Sequence, residues 1–375
     1  MNNLRQLHII RGLSALYVAI GHAKVVFWSG GKEYIEKYPV KDWNLFDYLV
    51  FIIDMLSSSA QEFVIVFFIL SGFFIALSFE KNNWDLKNFI INRIVRIYPP
   101  YLFSVFFAIT VFFFINQCVP EFFLSGHTRP IILRMANSFN ELTLEGFFKS
   151  LLYLPQKDYI AGNLSYWSLL PEWIFYLIIA FLIKIKKWPF WIFTAFYFVN
   201  TFALFGFENH LLKFLFEYGF YFFLGVELYS FIQYYNWENK MPSRLSSFTI
   251  ITALLLTTII SGILCDKGIV KFHSLSFLSA CSLSVFSVLT LLKYPLKNSF
   301  YKIGVFFGDI SYTLYVFHLP IYYLLYAILT KKTVNYLYYE RIYWLAIPFA
   351  IGLSYIFYLL IEKRTLVLIK KLKST

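Results

Sequence analysis

An arginine and a histidine, Arg11 and His22, stand inside the first apolar segment of the chain, RGLSALYVAIGHAKVVFW over 11–28. Ionisable side chains in such a segment mark functional positions, because a charge in hydrocarbon is costly without a partner or a cavity. Eleven residues at about 100° each close three turns with about 20° to spare. A helix here therefore carries both on one face, about 16 Å apart along its axis. That face presents an anion binder and a proton acceptor.

Arg93 and Arg96, in NFIINRIVRIYPPYLFSV, are three residues apart and share a helix face. Guanidinium forks bind phosphate bidentately, and a helix start adds the favourable end of the helix dipole. A phosphate-bearing cytosolic cosubstrate fits the pair, and so does a positive-inside anchor on lipid headgroups. Glu172 lies in SYWSLLPEWIFYLIIAF, where a carboxylate needs a partner or a cavity. His318 is in mid-segment of FGDISYTLYVFHLPIYYLLYAI, and Pro320 beyond it suggests a kink with freed carbonyls. Asp309 is nine residues earlier, about half a turn out of phase, and is expected to cap the inner end of this span independently of His318. Against a catalytic role, either histidine could be a buried imidazole hydrogen-bonded across a bundle, and Glu172 could be an ion-pair partner of Arg11. Lys24, Glu62, Glu217 and Glu227 also lie in or near apolar segments, without a spacing that assigns them chemistry.

The elements that position these residues follow from composition. Of 375 residues, 59% are hydrophobic, 22% aromatic and only 14% charged, with a mean hydropathy of +0.64. The expected fold is an all-α, polytopic integral membrane helical bundle. Apolar runs place about ten transmembrane helices near 11–28, 61–79, 97–117, 166–183, 189–205, 212–232, 246–264, 272–292, 307–328 and 342–361. An even count puts both termini on one side. Assigning that side to the cytoplasm gathers most of the basic residues there, including Arg93, Arg96, Lys184, Lys186, Lys187, Lys363 and Arg364. The net charge of +12 therefore reads as a topology signal, and no nucleic-acid partner is expected. Two outer connections, 29–60 and 118–165, are long, and FDYLVFIIDML over 46–56 is too short to span, so it lies along the interface or re-enters. Cys118, Cys265 and Cys281 lack metal or redox spacing, and no metal site is expected. No cleavage site follows the first apolar segment, which reads as an uncleaved span. The chain is expected to form a single domain over 1–375.

Taken in order, these residues resemble the membrane acyltransferase 3 family, whose members O-acylate sugars and surface polysaccharides. The resemblance rests on Arg11-x10-His22, FFILSGF at 67–73, the Arg93/Arg96 pair, SLLPEWIFYL at 168–177, YFFLGVEL at 221–228, ISYTLYVFHLPI at 310–321 and IEKR at 361–364. It implies an acyl-CoA cosubstrate, often acetyl-CoA, with no permanently bound cofactor. It also implies a hydroxyl acceptor on a carbohydrate or lipid-linked glycan, and a bacterial-type cytoplasmic membrane as the location. On this resemblance Arg93 and Arg96 hold the CoA phosphates while the pantetheine arm threads toward His22. His22 could then be the general base on the acceptor hydroxyl, or a nucleophile passing through an acyl-imidazole. Arg11 would bind the donor or stabilise charge on the thioester oxygen, and Glu172 would orient His22 or bind the sugar. Two departures stand out. The family's usual acidic pair is Glu172-Trp173 here, and the C-terminal esterase-like domain of some relatives is not expected. Other classes remain in play: a transporter or flippase of a lipid-linked glycan, or a polysaccharide polymerase or ligase with outward-facing arginines.

Overall fold

A computed structural model describes residues 3–28, 31–81, 85–120, 123, 130–140, 142–154, 159–182, 188–201, 210–269, 273–330 and 343–374. Among them 89% are helical and none lies in a strand, as expected where backbone groups must be satisfied within each membrane segment. The helices are α1 (Leu7–Phe27), α2 (Gly31–Lys37), α3 (Leu45–Leu56), α4 (Ala60–Lys81) and α5 (Leu86–Cys118). Then come α6 (Pro130–Asn140), α7 (Leu144–Leu151), α8 (Leu169–Leu182), α9 (Trp188–Thr201) and α10 (His210–Tyr234). Last are α11 (Arg244–Asp266), α12 (His273–Lys293), α13 (Asn298–Thr330), α14 (Ala346–Phe357) and α15 (Lys363–Ser374), with a π-helical turn over Tyr358–Glu362.

Eight helical segments among the described residues are long and apolar enough to cross a membrane, and they coincide with eight of the expected spans. The other two, 166–183 and 189–205, coincide with shorter apolar helices over Leu164–Ile179 and Phe190–Asn200. The lysines 184, 186 and 187 between them lie outside the described residues. One expectation is corrected. Asp309 does not cap a helix end, because α13 already begins at Asn298, about three turns earlier.

The chain divides into two compact units. The first comprises Met1–Ala15, Gln61–Ile91 and Pro171–Ser311. Its central helix is α4, whose most apolar stretch is 83% buried. Two glycines explain how closely α4 packs on α10. A Cβ on Gly72 would strike the Phe222 carbonyl oxygen, and one on Gly225 would strike the Ile69 carbonyl oxygen. The motifs FFILSGF and YFFLGVEL are thus the two sides of one helix crossing. Gly304 and Gly308 on α13 do the same for α1, where added Cβ atoms would meet Ile9 and the His8 backbone; their GxxxG spacing is a known device for close membrane-helix approach. Gly72→Leu or Gly225→Leu is expected to abolish the folded state, since even modest overpacking costs about 1–3 kcal/mol and here backbone blocks the new atoms. Loss of a monodisperse peak in size-exclusion chromatography would report it, and a Gly72→Leu protein with wild-type elution and thermal stability would contradict this account.

The second unit comprises Leu16–Ala60, Asn92–Leu170 and Tyr312–Thr375. Its short α3 starts with a capping box: the Asn44 side chain accepts from the Phe46 and Asp47 amides, and Asp47 Oδ2 accepts from the Asn44 amide. α3 is turned inside out relative to a soluble amphipathic helix. Asp47, Val50 and Asp54 are buried, whereas Leu45, Leu49, Ile52, Ile53 and Leu56 are exposed. That pattern suits a 12-residue helix lying against lipid. The polar side is held by Tyr34, whose hydroxyl donates to Asp47 Oδ1 at 2.9 Å, and by Lys24 of α1. Lys24 Nζ contacts Asp54 Oδ1 at 3.0 Å and donates to Ser58 Oγ at 2.7 Å and Asp54 O at 3.1 Å. Lys24→Met leaves a largely buried carboxylate without its cation and is expected to destabilise by about 3 kcal/mol. Lys24→Met/Asp54→Asn should recover most of that loss in a thermal melt; equal stability of Lys24→Met and the wild type would remove the pair from the account.

Candidate active site

Two aromatic contacts and one hydrogen bond set α1 against α13 within the second unit. The Tyr322 hydroxyl donates to the Ala19 carbonyl at 3.1 Å, and the Phe27 ring meets Tyr322 and Tyr326 edge-on. This arrangement brings His22 to His318. Their ring planes are 12° apart, and His22 Nδ1 is 2.7 Å from His318 Nε2.

The protons in this pair follow from one neighbour. His318 Nδ1 is 2.8 Å from the Leu314 carbonyl oxygen, which can only accept, so Nδ1 carries the hydrogen. Nε2 of a neutral His318 is then the acceptor, and His22 Nδ1 must donate to it. The proton acceptor left over is His22 Nε2. His318 is fully buried, whereas His22 is only half-buried. The pair thus sets a half-buried imidazole with a proton-accepting nitrogen in front of a fully buried one, a geometry that suits a base and the group that orients it. When His22 Nε2 takes up a proton, the charge is met by the lone pair on His318 Nε2.

The arginine pair singled out in the sequence is on one turn of α5, within the second unit. Arg93 and Arg96 are both half-buried, and at 33 residues α5 extends for about 50 Å, well beyond a bilayer core. The Ile97 carbonyl next to Arg96 accepts from the Tyr312 hydroxyl at 3.0 Å. Thr313, the next residue of α13, donates at 2.5 Å to Glu362 Oε2, a carboxylate that is 1% exposed in the π-helical turn. Sequence reasoning gave Glu362 no role, although the IEKR motif contains it.

Arg11 and Glu172 belong to the first unit. Close packing at Gly308 lets Arg11 Nε donate to Ser311 Oγ at 2.9 Å and Nη2 to the Gly308 carbonyl at 3.1 Å. Glu172 Oε1 accepts from Ser71 Oγ at 2.9 Å and from the Tyr176 hydroxyl. The partner on His22 Nδ1 is thus an imidazole, and Glu172 accepts from two hydroxyls. Asn163 and Ser165 were also missed by sequence reasoning. Ser165 Oγ is 3.4 Å from His318 Nε2, and the only sequence signal was their place just before the SLLPEWIFYL motif. Cys118, Cys265 and Cys281 are thiols.

A family model described as an acyltransferase domain matches residues 4–363. No curated protein and no solved structure matches the chain.

Proposed function

The chain belongs to the acyltransferase 3 family, a membrane acyltransferase kind of protein, and from that premise we propose that it moves an acyl group from acyl-CoA to a hydroxyl of a carbohydrate or lipid-linked glycan, with His22 as general base. The observation that carries this reading is the hydrogen-bonded His22–His318 pair, which leaves Nε2 of the more accessible histidine as the proton acceptor.

In this reaction His22 Nε2 takes the proton of the acceptor hydroxyl as its oxygen attacks the thioester carbonyl. The C–S bond then breaks, and the imidazolium returns its proton to the leaving thiolate, so that free CoA thiol and an ester are the products. His318 holds His22 in the tautomer this requires. Arg93 and Arg96 take the donor's phosphates, for which a forked, delocalised cation pair on one helix turn is suited. Arg11 and Glu172 are assigned to the donor's thioester oxygen and the acceptor's hydroxyls, respectively; both side chains are pre-positioned by neighbouring hydroxyls and a carbonyl. Acetyl-CoA is the first donor to try, and a bacterial-type cytoplasmic membrane with cytoplasmic termini is the setting.

The test uses purified full-length protein in nanodiscs with radiolabelled acetyl-CoA and an extract of lipid-linked and surface glycans. Acceptor labelling that requires His22 supports the reading. Movement of glycan across a vesicle membrane without consumption of acyl-CoA would replace it with a carrier.

A further inference from the structure

Pro320 has no N–H, so the Val316 carbonyl, four residues before it in α13, lacks its helical donor. The Asn163 side chain fills the gap. Asn163 Nδ2 donates to the Val316 carbonyl at 3.0 Å, and Asn163 Oδ1 accepts from the Ser165 amide at 3.1 Å. These two bonds determine the orientation of the amide, because the flipped group would set oxygen against oxygen and N–H against N–H. Asn163 is fully buried. The turn that carries it is held a second time, by the Tyr323 hydroxyl on the Gly162 carbonyl at 2.9 Å. Ala161 and Gly162 there adopt left-handed backbone, with φ of 57° and 60°. A non-glycine residue takes that conformation only where its surroundings enforce it. Val316 precedes His318 by two residues, and the same turn places Ser165 Oγ beside His318 Nε2.

We propose that Asn163 is a positioning residue for the His22–His318 pair, clasping the Val316 carbonyl that Pro320 frees and so holding the segment of α13 that presents His318 Nε2 to His22. The proposal rests on the reading of His22 as the base. Without the clasp, a buried carbonyl has lost its donor, and the segment around it shifts to recover one. His318 then no longer offers Nε2 at one place, and His22 Nε2 ceases to be the sole unprotonated position on its ring.

The experiment is nitrogen NMR of full-length protein in nanodiscs with ¹⁵N-labelled histidine, with signals assigned through His22→Gln and His318→Gln. In the wild type, His22 and His318 are both expected to be protonated at Nδ1 and unprotonated at Nε2. In Asn163→Ala, both are expected to show mixed tautomers, with kcat reduced about 10- to 100-fold and KM for acyl-CoA unchanged. Asn163→Leu keeps the volume but has no group to donate to the Val316 carbonyl, and it should give the same mixture. Pro320→Ala restores an N–H to the Val316 carbonyl, so Asn163→Ala in that background should disturb the tautomers far less than in the wild type. Wild-type tautomers in a folded Asn163→Ala or Asn163→Leu protein would overturn the positioning role, as would a wild type whose His318 is protonated at Nε2. A wild type that shows the expected tautomers but transfers no acyl group would instead overturn the acyltransferase chemistry and leave the positioning role standing.

Discussion

His22→Ala is expected to lower kcat for acyl transfer by about 1,000-fold, with KM for acyl-CoA unchanged. General-base catalysis is generally worth about 100- to 10,000-fold, and the proposed mechanism rests the whole of it on one atom, His22 Nε2. Added imidazole should restore part of the lost rate, because the substitution leaves a vacancy beside a buried acceptor that can hold a free base in the same orientation. His318→Leu should cost less, about 10- to 100-fold, and imidazole should not rescue it, since His22 is still present but unheld. Coupled measurement is decisive here. If His318 acts only through His22, then His22→Ala/His318→Leu is no slower than His22→Ala alone. Turnover by His22→Ala within threefold of wild type would remove the pair from the chemistry and make it a packing device.

The second large effect concerns the donor. Arg93→Ala/Arg96→Ala is expected to raise KM for acyl-CoA by about 100-fold or more while leaving kcat within a few-fold, because hydrogen bonds to charged groups contribute about 1.5–3 kcal/mol each. Lysine at both positions should recover only part, as an ammonium keeps the charge and loses the bidentate fork. A donor trimmed to acyl-pantetheine, which carries no phosphate, provides the internal control. The wild type should discriminate strongly between it and acyl-CoA, and the double variant should not. Equal KM values for acyl-CoA in wild type and variant would return the two arginines to a role as topology anchors at the membrane surface.

Much of this protein was legible in its sequence, and for identifiable reasons. Hydrocarbon solvent imposes a length and a composition on any segment that crosses it, so spans such as 61–79 and 246–264 stand out as apolar runs and recur as α4 and α11. Ionisable residues stand out in the same way, because each is an exception within a run; Arg11, His22 and His318 were visible on that ground alone. The short segment at 46–56 was recognisable as something other than a span, and α3 has that length and an outward apolar face.

Helix ends were harder, since a soluble extension of a membrane helix carries no hydrophobic signature. Asp309 was read as an end for this reason, whereas α13 runs on from Asn298. Partners were not legible at all. His22 and His318 are 296 positions apart, and nothing in local periodicity says which apolar faces meet. For α1 and α13 that choice was made by the Tyr322 hydroxyl on the Ala19 carbonyl and the Phe27 ring on Tyr322 and Tyr326; for α4 and α10 it was made by glycines whose missing side chains leave room for a neighbouring backbone, Gly72 and Gly225. Tautomers lie one level further down, since the proton on His318 follows from a single carbonyl at Leu314 and the clasp on Val316 from the missing N–H of Pro320. Sequence by itself therefore determined the solvent, the helical class, the family and the reactive residue types. Which nitrogen faces which neighbour was decided only by the tertiary structure, because hydrogen-bond direction depends on distances of about 3 Å between residues the chain order keeps far apart.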